Sequence, residues 1–166
     1  MLEVNLFGAL YVMQEAVATM RGHDGGTIVN VASLGGRRGV SPLGGYCATK
    51  FALVGVTEAL RTELHGTPVH VGLVMPGVIE TPMVEQATAA DEFAGIWPNA
   101  LNMPASWVVW AIFAAARFRL VEIAVPPGAV TLEKIAALAP GVADSVVHWT
   151  TAATHFLAEL LASPRR

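Results

Sequence analysis

Val4, Phe7, Tyr11, Val12, Ala16 and Met20 recur close to a 3.6-residue period and predict a helix over residues 3–20. The run Gly22-His23-Asp24-Gly25-Gly26 ends it, and residues 27–32, Thr-Ile-Val-Asn-Val-Ala, follow as an apolar, β-branched stretch of the kind buried in a sheet. A second long helix is expected over 43–66, with Phe51, Val54, Leu60 and Leu64 inward and Gly66 as its stop. Residues 69–75 read as the next strand, closed by Pro76-Gly77. A helix over 105–118 then leads to a short strand over 121–125, cut off by Pro126-Pro127-Gly128. Two further helical stretches, 131–139 and 142–161, are separated by Pro140-Gly141. Residues 83–104 show no clear period and suit a lid, where Met83, Phe93 and Trp97 line a pocket or join the core. Strands alternating with helices predict an α/β, three-layer fold with about three parallel strands, part of a doubly wound sheet. We divide the chain into residues 1–128, which carry this pattern, and a helical extension over 129–166.

Between the first strand and the second long helix lies Asn-Val-Ala-Ser-Leu-Gly-Gly-Arg-Arg-Gly-Val-Ser-Pro-Leu-Gly-Gly-Tyr-Cys-Ala-Thr-Lys, residues 30–50. Tyr46 and Lys50 are four apart and share one helix face. Ser33 leaves the carboxyl end of a strand, the crevice where open α/β sheets bind ligands. A phenol with an ordinary pKa near ~10 is a weak acid–base catalyst at neutral pH, and an adjacent ammonium favours its anionic form. Tyr46 beside Lys50 can therefore exchange a proton with an oxygen held by the Ser33 hydroxyl. Taken singly, each of the three has a plainer role: a turn serine, a half-buried aromatic, a solvated lysine.

Ser33 with Tyr46-x-x-x-Lys50 thirteen residues on resembles the active site of the short-chain dehydrogenase/reductase family. The resemblance extends upstream to Val-Asn-Leu-Phe-Gly, residues 4–8, and downstream to Met-Pro-Gly-Val-Ile-Glu-Thr-Pro-Met, residues 75–83. It implies a partial Rossmann fold and hydride transfer between NAD or NADP and a small carbonyl or alcohol substrate. Ser33, Tyr46 and Lys50 are then catalytic, with Asn5 supporting the proton supply through a water held where its helix is distorted. Pro76, Gly77, Ile79 and Thr81 would cover the nicotinamide, and Tyr46 and Lys50 would meet its ribose. Asn5 and Thr81 each have an alternative as helix caps. The resemblance also implies a homo-oligomer joined through helices 3–20 and 43–66. The family's opening Thr-Gly-x-x-x-Gly-x-Gly turn and its Asn-Asn-Ala-Gly segment do not occur in this sequence. That identifies the chain as resembling the C-terminal part of such an enzyme, and predicts weak or no binding of NAD(P) and weak or no activity by these 166 residues alone. The competing reading is a non-catalytic oligomerisation or binding module derived from such an enzyme.

Apolar residues make up 54% of the chain and charged ones only 14%, with mean hydropathy +0.53, which calls for a covered apolar face. A net charge of −3 offers no basic field for nucleic acid. Met1–Leu10 lacks the basic start of a leader, and no apolar run reaches the ~20 residues that cross a bilayer. The single Cys47 reads as a small core residue and suits a reducing cytoplasm. His148, His155 and Glu159 share a helical spacing but lack a further ligand, so no metal is expected. Arg37 and Arg38 read as loop charges.

Overall fold

The computed structural model describes residues 1–82 and 102–149. Three parallel strands, β1 (Gly26–Val31), β2 (Val69–Pro76) and β3 (Glu122–Val125), form one sheet in the order β1-β2-β3. Val31 pairs with Val74, and Pro76 with Val125, so all three strands deliver their carboxyl ends to one edge. Each crossover contains a helix, as parallel pairing requires.

The alternation in β2 sets the layers. Val71, Leu73 and Met75 point to one side, where they join Met13 and Val17 of α1 (Gly8–Arg21) and Leu53 and Val54 of α2 (Gly44–Glu63). Val74 points to the other, packing with Ala111 and Ala115 of α3 (Ala105–Phe118) and with Val125 and Met103. Both faces of the sheet are covered, which is why β1 and β2 read as continuous apolar runs rather than alternating ones. The polar exception, Asn30 in β1, is buried and donates to Thr57 Oγ1 and Met13 Sδ, both at 2.9 Å, so its amide hydrogens keep partners inside the core.

Residues 3–20 do not form one uniform helix. Glu3–Phe7 is a π-helical turn, and α1 begins only at Gly8. The stretch expected at 131–139 is α4 (Ala129–Ala136), started by Gly128 in the left-handed region at φ 85°, and its Val130 enters the α1/α2 core. The Pro140-Gly141 pair expected to separate two helices instead lies at the start of the helical backbone over residues 140–149. The missing N–H of proline is harmless in a first helical turn, and the separation falls at residues 137–139. The rest of the helix expected to 161, and the lid expected over 83–104 apart from residues 102–104, lie outside the described residues.

Candidate active site

Ser33 stands just past β1 with extended backbone (φ −173°, ψ 160°) and caps a 3₁₀ turn, Leu34–Gly36. Its Oγ accepts the Gly35 N–H at 3.1 Å, which orients the hydroxyl and leaves its proton for an oxygen in the crevice. Tyr46 lies in the first turn of α2 and Lys50 one turn later. A methyl group on Gly35 would stand 3.5 Å from Ser33 Oγ, 3.5 Å from Tyr46 Cε1 and 3.4 Å from Cys47 Sγ, so Ser33 and Tyr46 border one point. Lys50 Nζ lies 5.7 Å from the Tyr46 ring centroid and donates to Val31 O, the last carbonyl of β1, at 3.3 Å. Burial pushes the Lys50 ammonium below the usual lysine range. The three residues singled out by spacing are thus brought to one sheet edge.

Asn5 caps no helix. It sits inside the π-helical turn and donates from Nδ2 to Thr49 Oγ1 at 3.1 Å, and Thr49 Oγ1 donates to the Tyr46 carbonyl at 2.7 Å. Thr49, which sequence reasoning missed, therefore couples Asn5 to the turn of α2 that carries Tyr46 and Lys50. Its only signal was a polar residue inside Tyr-x-x-x-Lys, on the buried side of the helix.

The second wall follows β2. Pro76 is its buried last residue. Gly77 donates its N–H to Val125 O at 2.7 Å, and a Cβ there would approach Met103 Cε at 3.2 Å and Leu34 Cδ1 and Val125 O at 3.3 Å. Gly77 thus packs closely between the loop after β1 and the loop after β2, where a Cβ would require its neighbours to give by a few tenths of an ångström. Ile79 forms a parallel bridge with Met103, and Glu80 N–H donates to Met103 O at 2.9 Å, which pins the segment leading to the half-buried Thr81. Cys47 is buried in α2. Among the described residues no group of three His, Cys, Asp or Glu could hold a metal ion, and His155 and Glu159 lie outside them. No described helix is long and apolar enough to cross a membrane.

Arg37 and Arg38, read as loop charges, are tied. Arg37 Nη2 bonds Glu58 Oε1 of α2 at 2.6 Å and Glu122 Oε2 of β3 at 2.7 Å, Lys134 of α4 holds the other oxygen of Glu122 at 2.9 Å, and Arg38 reaches Asp144 at 2.6 Å. Burial opposes the charge on Glu122, but hydrogen bonds from Lys134 and Arg37 and the charges they carry outweigh it and hold the carboxyl below its ordinary range. A depressed folded-state pKa adds stability that is complete above the ordinary carboxylate value and is lost as pH falls through the depressed one. Glu122→Gln should therefore lower unfolding stability by about 2 kcal/mol at neutral pH. Urea unfolding of both proteins down the acid range should show that deficit closing below the ordinary carboxylate pKa; a deficit independent of pH would show that the charge is not what matters.

The chain belongs to the short chain dehydrogenase family, whose model matches residues 1–92. It is 46% identical over 72 residues to the granaticin polyketide synthase putative ketoacyl reductase 1 of Streptomyces violaceoruber, covering 43% of this chain and 26% of that protein. It is 31% identical over 153 residues to the ketoacyl reductase HetN of a Nostoc species, covering 87% of this chain and 51% of that one. The chain thus spans about half or less of the length of these curated relatives. Among solved structures, a short chain dehydrogenase from Burkholderia cenocepacia in complex with NADP superposes with TM-score 0.69 at 26% identity, over 87% of this chain and 56% of its own. A variant of actinorhodin polyketide ketoreductase with NADPH gives TM-score 0.52 at 39% identity, over 58% and 37%.

Proposed function

We propose that the chain carries the proton-transfer site of an NAD(P)-dependent reductase acting on a ketone, with a β-ketoacyl group as the favoured substrate class. The observation that carries this reading is the meeting of Ser33 Oγ and the Tyr46 ring at Gly35, with the Lys50 amine over that ring. The Ser33 hydroxyl donates to the substrate carbonyl oxygen, and Tyr46 gives its phenolic proton to that oxygen as negative charge develops on it. The Lys50 ammonium offsets the charge left on the phenol, and Asn5, through Thr49, steadies the helix turn and supports proton return. Reversal of these transfers serves alcohol oxidation.

The residues present fit the nicotinamide end of the cofactor. A partly dehydrated amine beside a phenol at the sheet edge suits ribose hydroxyls, and the segment that follows β2 at the same edge offers Ile79 and Thr81 to the carboxamide. The bound nicotinamide supplies or accepts the hydride. The named ketoacyl reductases among the relatives support the substrate class, and a buried lone thiol fits a reducing cytoplasm. Because the family's glycine-rich pyrophosphate turn does not occur in these residues, the test joins them to the N-terminal half of a ketoacyl reductase and follows NADPH absorbance with simple ketones and β-ketoacyl thioesters: ketone-dependent oxidation supports the reading, and none with any substrate in a folded, NADPH-binding chimaera overturns it.

A second reading, self-association, is favoured by Val4, Tyr11 and Val12, exposed on the π-turn and α1, and by a groove between α1 and α2 lined by Leu10, Val17, Val56 and Leu60. Two copies pairing these helices would cover that surface. Sedimentation velocity over rising concentration should show a dimer or larger species; a monomer throughout would refute it.

A further inference from the structure

Arg37 follows immediately on the turn that carries Ser33, and its N–H closes that turn onto Leu34 O at 2.9 Å. Its guanidinium reaches in two directions, to Glu58 on the helix that bears Tyr46 and Lys50, and to Glu122 on β3. The Arg37 side chain is only 20% exposed and that of Glu122 17%, so the bond to the sheet is shielded from water, while Glu58 at 44% keeps contact with it. Arg37 Nε is buried without a partner among the described residues, a sign that the two carboxylates at the tip dictate where the side chain lies. On the turn's inner side, a Cβ on Gly36 would stand 2.8 Å from Lys50 O, so the turn already rests on α2 with no gap.

We infer that Arg37 is a positioning residue that fixes the Ser33–Gly36 turn against α2 and β3, and thereby sets Ser33 Oγ beside Tyr46. The turn's own bonds, Gly36 N–H to Ser33 O and Arg37 N–H to Leu34 O, both at 2.9 Å, are local and set its shape, whereas one cation bonded to the helix and to the sheet aligns it with both bodies. Two short charge-assisted bonds from a planar guanidinium hold direction as well as distance. The catalytic consequence rests on the reading of Ser33 and Tyr46 proposed above, whereas the placement of the turn does not.

The test uses the full chain carrying Tyr11→Phe, which leaves Tyr46 as the sole remaining one of two tyrosines. Ring-carbon NMR then reports Tyr46 alone, and amide hydrogen exchange reports the turn. Arg37→Met should speed exchange at Gly35 and Gly36 about tenfold or more relative to Leu73 and Val74 in β2, and shift the Tyr46 ring signal. Arg37→Lys, which keeps the charge on a side chain one atom shorter, should recover part of both effects. Glu122→Gln should reproduce them in weaker form and decides the matter if Arg37→Met does not fold. Unchanged turn exchange, or equal acceleration in turn and β2, would overturn the inference, the second because it marks a general loss of stability. Ketone-dependent NADPH oxidation by the same variants joined to a reductase's cofactor-binding half separates the two claims. No turnover by that NADPH-binding chimaera with Arg37 intact, alongside a loosened turn in Arg37→Met, removes the functional reading and keeps Arg37 in its role; turnover with an unaltered turn does the reverse.

Discussion

Tyr46→Phe should lower kcat/KM for ketone reduction about a thousandfold, roughly 4 kcal/mol of transition-state stabilisation, while leaving the fold unchanged. The substitution deletes one oxygen from a half-buried ring, and the ring edge that faces Gly35, at Cε1, does not depend on that oxygen. Steady-state kinetics at saturating NADPH, with these residues joined to a reductase's cofactor-binding half, together with thermal unfolding, check both halves. Near-normal turnover would take the proton-donor role from Tyr46, and a large fall in melting temperature would make any lost activity uninformative.

Gly36→Ala should have the largest structural effect of any single methyl added near the site. The new Cβ would stand 2.8 Å from Lys50 O and 3.0 Å from both Lys50 C and Val54 Cγ2. Two of these three neighbours are backbone atoms of a helix and cannot step aside. Relief must come from lifting the turn, at about 2–3 kcal/mol, and that movement separates Ser33 from Tyr46. Gly39→Ala is the control, since nothing lies within 4 Å of its Cβ position. Denaturant unfolding should place Gly36→Ala well below the parent and Gly39→Ala close to it; equal stabilities would mean that the turn yields freely.

The readable parts of this molecule are those set by short-range geometry. Tyr46 and Lys50 share a helix face because four residues make about one turn, and Ser33 meets them because a strand, a tight turn and a helix follow in sequence. The apolar runs at 27–32 and 69–75 identify strands buried on both faces for the same local reason. Arg37 was illegible because its two carboxylates lie 21 and 85 residues away, and Arg38 because Asp144 is 106 away. Nothing near a loop arginine announces such partners. Asn5 looked like a cap or a relay, and its bond to Thr49, 44 positions on, depends on how α2 packs across the π-turn. Pro140 misled in the opposite sense, since the residue that ends one helix is equally suited to begin another. The apolar excess was plain in composition, but its location was not. Much of it lies on α3, where Trp110 and Phe113 are 73% and 64% exposed, rather than on α1 and α2 alone.

The bond from Lys50 to Val31 O has an effect on the molecule's behaviour in bulk solution. Among the described residues β1 has a neighbour on one side only, and a strand border of that kind is a template for stray chains to zip onto. A lysine amine seated on its final carbonyl puts a positive charge at that border, the device by which many sheets discourage such recruitment. Neutralising Lys50 to probe proton transfer would also remove this guard, so turbidity in such a variant would report on the sheet margin and not on the chemistry.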